Sequence, residues 1–100
     1  MPAVLLGHDE VDFEWYEAKR LANIEKHGID FLDADIFFGG PHLVGPARTV
    51  EREGRWMAVG MLDDVYVTVI FTRRGSTIRL ISIRSARREE RERYQALFGG

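Results

Sequence analysis

The chain has no cysteine among its 100 residues. That excludes disulfides, cysteine-ligated zinc and thiol nucleophiles together, and it fits a reducing compartment. No apolar run approaches the ~20 residues that a bilayer span needs. Val4-Leu5-Leu6 is too short for the apolar core of a signal peptide, so a cytoplasmic protein is expected. Lysine is scarce: Lys19 and Lys26 stand beside twelve arginines. The planar, forked guanidinium suits phosphate recognition better than plain solubilisation. There is no Gly-x-Ser-x-Gly elbow, no glycine-rich loop followed by Lys-Ser/Thr, and no internal repeat. His8, His27 and His42 lack any ligand spacing, so neither a metal nor a cofactor is expected.

What is present is an ordinary globular composition, 45% hydrophobic and 30% charged. The length suits one domain over residues 1–100. The formal net charge of −2 averages two unlike halves. Residues 1–50 carry four bases against nine acids, and residues 51–100 carry ten arginines against seven acids. Within 73–93, eight arginines stand against three glutamates. Such asymmetry points to an anionic partner on one face.

Residues 1–10 show no sustained periodicity and are expected to be loose, with a short strand near Val11–Phe13. The spacing of Trp15, Ala18, Leu21 and Ala22 predicts a helix over Glu14–His27, closed by Gly28 as a left-handed cap. Asp30 is placed to cap a second helix through Phe38, ended by Gly39-Gly40-Pro41. Strands are predicted at 48–51, 55–62, 65–72 and 77–85, with turns at 52–54, 63–64 and 73–76. In the third of these, Val65, Val67, Val69 and Phe71 face one way, and Tyr66, Thr68 and Ile70 the other. In the fourth, Arg79, Ile81 and Ile83 share one parity, and Leu80, Ser82 and Arg84 the other. A last helix is predicted over 86–97. The fold class is therefore α+β: two N-terminal helices, an antiparallel meander of about four strands, and a C-terminal helix.

Two stretches could carry chemistry. Lys26-His27-Gly28 lies where a helix ends, and the negative end of the helix dipole favours imidazolium there. It reads either as a basic helix cap or as a proton-transfer histidine beside a phosphate-binding lysine. Arg79 and Arg84, with Arg73 and Arg74 in the preceding turn, read either as snorkelling arginines at a strand end or as a clamp on a phosphodiester. Residues 87–94 read as a solvated helix laced by the Arg88/Glu92 and Glu89/Arg93 pairs. Trp56 and Tyr66 read as core rather than as base-stacking rings.

Taken together these motifs resemble the BrnT toxins. Phe13-Glu14-Trp15, Lys19, Asn23, Lys26-His27-Gly28-Ile29, Phe31, Ala34 and Phe37 look like that family's N-terminal half. Arg55-Trp56, Gly60, the strand 65–72 and Ile78–Arg84 with Ala86, Glu90 and Tyr94 look like its C-terminal half. Tyr16 stands where the family usually has Asp, Ile83 where Ala is usual, and Ser85 where a base is common. The resemblance implies a RelE-like fold and a ribonuclease toxin of a type II toxin–antitoxin pair. It further implies metal-independent RNA cleavage that inhibits translation, and a cognate, BrnA-like antitoxin that alone brings the pair to operator DNA. On that basis Lys26, His27, Arg73, Arg79 and Arg84 are the catalytic candidates, and Arg55, Arg74 and Arg87 the RNA-binding ones. The competing reading is a non-catalytic module whose arginine-rich face docks an acidic partner. Direct DNA binding ranks last, because no helix reads as a recognition helix.

Overall fold

The computed structural model describes residues 11–48 and 52–99 in full and the backbone of residues 3–8. In chain order the elements are β1 (Ala3–His8), β2 (Val11–Tyr16), α1 (Glu17–His27), a single 3-10 turn (Phe31–Asp33), α2 (Ala34–Gly39), β3 (His42–Pro46), β4 (Trp56–Leu62), β5 (Val65–Arg74), β6 (Thr77–Ser85) and α3 (Arg88–Phe98). The six strands form one sheet in the order β1-β2-β6-β5-β4-β3. All neighbours are antiparallel except β2 and β6, which run parallel. The α+β class and the four-strand meander are present, the meander being β3 to β6.

Several boundaries differ from expectation, each for a physical reason. Ala3–His8, expected to be loose, pairs along its whole length with β2. Val11, Phe13 and Trp15 alternate with period two, and Phe13 and Trp15 are buried. The chain therefore stays extended to Tyr16, and α1 starts three residues later than its spacing predicted. The expected second helix is a 3-10 turn followed by six residues of α2. The first strand of the meander is His42–Pro46; of the strand expected at 48–51, residues 49–51 lie outside the described residues and Arg48 is in no strand.

One face of the sheet carries the core. Phe13 and Trp15 of β2, Ala58 and Leu62 of β4, Val67, Val69 and Phe71 of β5, and Leu80 and Ile83 of β6 pack against Phe31, Ala34 and Phe37. Gly60 is required at this contact, since a Cβ there would sit 2.8 Å from Phe37 Cε2 and 3.0 Å from the Pro41 carbonyl oxygen.

Helix α1 does not bury the predicted stripe. Ala18, Leu21 and Ala22 are exposed, and the one residue of α1 that is buried is Asn23. Its side-chain amide docks on β6 beyond the point where β2 stops pairing. Nδ2 donates to the carbonyls of Ile83 and Ile29, each at 2.9 Å, and Oδ1 accepts from the Ile83 N–H at 3.0 Å. One asparagine thus continues the sheet's hydrogen bonding where a strand ends, which satisfies backbone groups that burial would otherwise leave unpaired.

The other face is covered by α3 toward the β4–β5 hairpin. Thr68 donates to Glu90 at 2.9 Å, and the rings of Tyr66 and Tyr94 meet edge to face with centroids 5.7 Å apart. A bulge in β6 decides which side chains reach this face. Ile70 pairs with Ser82 but Phe71 with Leu80, so Ile81 is the extra residue. Leu80 and Ile83 therefore share the core face, while Arg79 and Arg84, assigned to opposite faces by simple alternation, share the other.

Candidate active site

The structure distributes the candidate residues over three places. The first is one end of the sheet. Pro46 pairs with Trp56 and Trp56 with Phe71, so the end of β3 and the start of β4 lie beside the end of β5 that leads into the β5–β6 turn. That end carries Arg48, Arg52, Arg55, Arg73 and Arg74. Arg73 and Arg74 are exposed, and neither makes an ion pair with another described residue. The Arg73 guanidinium carbon lies 5.3 Å from the centroid of the Trp56 ring and 5.7 Å from that of Phe71. Trp56 is 37% exposed at the rim of the core face rather than buried in it. An exposed indole beside free guanidinium groups offers both a stacking surface and phosphate contacts.

The second place is the α3-side face of the sheet. Arg79 donates from Nε to Glu14 at 3.0 Å and from Nη1 to the Tyr16 hydroxyl at 2.8 Å, with its guanidinium carbon 4.9 Å from the Tyr16 ring centroid. The parallel register sets Glu14 opposite Arg79, and the antiparallel register sets Thr72 opposite it on the other side. Nearer the hairpin, Arg84 makes two parallel bonds to Glu90, at 2.8 and 2.9 Å. Glu90 also accepts from the Arg87 N–H at 2.8 Å, which ties down the start of α3. Arg84, then the Arg87 N–H and Thr68, outweigh burial and hold the Glu90 carboxyl at a pKa of about 2. Arg84, on β6, is therefore neutralised by Glu90 of α3 and braces that helix against the sheet. The Arg87 side chain is exposed at that helix start.

Lys26 and His27 are in the third place, at the end of α1. Gly28 takes φ 71° and its N–H bonds to the Ile24 carbonyl, so the predicted left-handed cap is there. Lys26 is exposed. His27 lines a cavity of about 280 Å³ with Ile29, Leu62, Val65 and Val67. Asp33 and Asp63 line the same cavity. Burial, then the neighbouring charges of Asp30, Asp63 and Asp35, push the Asp33 carboxyl above its ordinary value. This is an acidic setting, unlike the arginine end. Along β5 the six residues from Val67, in this cavity, to Arg73 span about 20 Å. The structure thus groups Arg55, Arg73, Arg74 and Arg79 at one end of the sheet and places Lys26 and His27 at the other. Arg84, next to the cavity-lining Ser85 in sequence, faces the opposite side of the sheet.

The ribonuclease toxin BrnT of type II toxin–antitoxin systems matches residues 15–90. The chain belongs to the BrnT family. No curated protein is matched. Membership makes the BrnT chain a ribonuclease toxin by family and implies an antitoxin partner. Among the described residues no helix is long and apolar enough to cross a membrane, and no three His, Cys, Asp or Glu side chains are grouped to hold a metal ion.

Three residues of this BrnT chain escaped sequence reasoning. Glu14 and Tyr16 alternate with the buried Phe13 and Trp15, which signals the opposite face of β2 once a strand is recognised there. Thr72 alternates in the same way with Phe71. Nothing in the spacing says that Glu14, Arg79 and Thr72 stand in one row; only the parallel β2–β6 pairing does.

Proposed function

We propose that the protein is a metal-independent endoribonuclease that cuts RNA at the arginine end of its sheet and so inhibits translation in the cytoplasm. A cognate antitoxin, itself the DNA-binding partner at the operator, neutralises it. The observation that carries this reading is the Arg73 guanidinium seated over the exposed indole of Trp56, with Arg74 exposed beside it in sequence and neither arginine ion-paired among the described residues, in a chain of a ribonuclease family.

In this reading the RNA 2′-hydroxyl attacks its own adjacent phosphate. Glu14, ion-paired with Arg79, takes the hydroxyl proton; the 2′-O–P bond forms, the P–O5′ bond breaks, and the leaving 5′ oxygen takes a proton from water. Arg55, Arg73 and Arg74 hold the strand, and Arg79, the partner of Glu14, helps to offset the charge that builds on phosphorus. Arg84 is a positioning residue through Glu90. Lys26 and His27 lie outside this reaction centre, because their surroundings are acidic and the arginines are about 20 Å away.

The test is cleavage of a labelled single-stranded RNA in the presence of EDTA. Cleavage is expected to persist and to leave a 2′,3′-cyclic phosphate. Glu14→Gln should lower kcat by about 100-fold or more. Replacing Arg73 and Arg74 together by Ala should lower kcat/KM at least about tenfold, while His27→Ala should stay within about threefold. Loss of cleavage in His27→Ala with wild-type rates in Glu14→Gln would move the reaction centre to the cavity beside α1.

A further inference from the structure

Two side-chain atoms of the described residues are buried without a hydrogen-bond partner: Nε of Arg55 and the hydroxyl oxygen of Thr72. They are neighbours. Trp56 pairs with Phe71, so the residue before it, Arg55, faces Thr72 on the adjacent strand. Thr72 in turn pairs with Arg79. Arg55, just before β4, and Thr72, Arg79 and Glu14 of β5, β6 and β2 therefore fall in one row when the register is continued by one residue, on the face that α3 covers only toward the hairpin.

Both orphans are costly to the free protein. Thr72 is only 2% exposed, and a buried hydroxyl with no partner bears its desolvation uncompensated. The Arg55 guanidinium is half-buried and has no carboxylate partner among the described residues, where an ion pair would normally offset its desolvation. The nearest acid in the row, Glu14, is engaged by Arg79. Guanidinium nitrogens can only donate, and the hydroxyl can donate beside them. What both lack is an acceptor between them. Arg74, two residues beyond Thr72 on the same face, adds a third donor group that is exposed.

We propose that Arg55 and Thr72 form a subsite for one phosphodiester oxyanion of a bound single strand. The inference rests on the ribonuclease reading and adds to it a hydroxyl contact and the position of one phosphate, next to the Glu14–Arg79 pair. A phosphodiester fits better than a protein carboxylate. The subsite adjoins Arg74, and across the rim of the same strands Trp56 and Arg73 provide a stacking surface for a base. A lone acidic side chain would use none of these.

The decisive variant is Thr72→Val, which is nearly isosteric and removes only the hydroxyl. Because that hydroxyl has no partner in the free protein, the melting temperature should stay the same or rise. Affinity for a 2′-O-methyl single-stranded oligonucleotide, which cannot be cut, should fall about tenfold, with a larger fall in Arg55→Ala. Inorganic phosphate should shift the Arg55 Nε–H resonance of the wild type saturably and leave it unmoved in Thr72→Val. Wild-type affinity in Thr72→Val, no phosphate-dependent shift, or a lowered melting temperature would each overturn the subsite. Tighter binding of an oligoglutamate peptide than of the oligonucleotide would also overturn it, in favour of a protein carboxylate. If the oligonucleotide binds and the phosphate shift is seen but RNA is never cut, the subsite stands and the ribonuclease reading fails.

Discussion

Glu90 joins three parts of the molecule through one carboxylate: Arg84 on β6, Thr68 on β5 and the first turn of its own helix. With its pKa held at about 2, below that of an unfolded-chain glutamate, it contributes stability above pH ~4.5 that is lost as pH falls through the folded value. The contribution at neutral pH is about 3 kcal/mol. Urea denaturation at a series of pH values should show a fall in stability between pH ~5 and ~2. In Glu90→Gln that slope should shrink, leaving the smaller share of Asp30 and Glu17, whose carboxyls are also lowered by Arg20 and, for Glu17 first, by Trp15. The variant should also lose about 3–5 kcal/mol, because Arg84 is then left in place without its counter-ion. Equal slopes in variant and wild type would show that the pair does not set the acid limit. The sequence marked Arg84 as interesting but not why: six residues separate it from Glu90, across a strand-to-helix corner that follows neither period 2 nor period 3.6. The bulge at Ile81 hid the second half of the matter, since one extra residue reverses the face of everything before it. Asn23 was hidden for a related reason. A polar residue on a helix signals exposure unless a free strand edge happens to lie beneath it.

At the scale of elements, legibility followed burial on one face. Strand β5 alternates cleanly and lies in the structure as its pattern predicts, because one face is core and the other is partly covered. Helix α1 was mis-bounded because Trp15 fits both a helical stripe and a strand alternation; the parallel pairing of Asp12–Glu14 with Thr77–Arg79 decides for the strand. The β4–β5 hairpin was legible as a turn at Asp63-Asp64, but its cost was not. Asp63 and Asp64 take φ of 50° and 64°, the double left-handed geometry that a two-residue turn needs and that glycine or asparagine adopts more readily. A non-glycine residue there costs roughly 1–2 kcal/mol. Asp64→Gly should therefore stabilise the protein by about 1 kcal/mol, seen as a rise in melting temperature of roughly 4–8 °C for a domain of this size. A fall would mean that the Asp64 side chain supports the turn more than its backbone strains it.

At the scale of the whole molecule, the uneven charge of the sequence becomes two unlike ends of one sheet, each drawing on both halves of the chain. The β4–β5 hairpin and the end of α1 gather Asp30, Asp33, Asp35, Asp63 and Asp64, while the far end gathers Arg48, Arg52, Arg55, Arg73 and Arg74. Arg79 and Arg84, two of the eight arginines within 73–93, are largely cancelled by Glu14 and Glu90. The net charge of −2 therefore says little about affinity for a polyanion; the number of unpaired guanidinium groups at one end says more. Binding a single strand releases counter-ions in proportion to the phosphates contacted, with a slope of about −0.7 per contact in log affinity against log salt. Contacts from Arg55, Arg73 and Arg74 predict a slope of about −2 for a 2′-O-methyl oligonucleotide, measured by fluorescence anisotropy across salt concentrations. Replacing Arg73 and Arg74 by Ala should reduce it to about −0.7. Replacing Asp33 and Asp63 by Asn changes net charge by the same amount in the opposite direction and should leave the slope where it was, since counter-ion release counts contacts and not total charge. A slope that tracks net charge in both variants would mean that the strand is attracted by the molecule as a whole and has no fixed path over the arginine end.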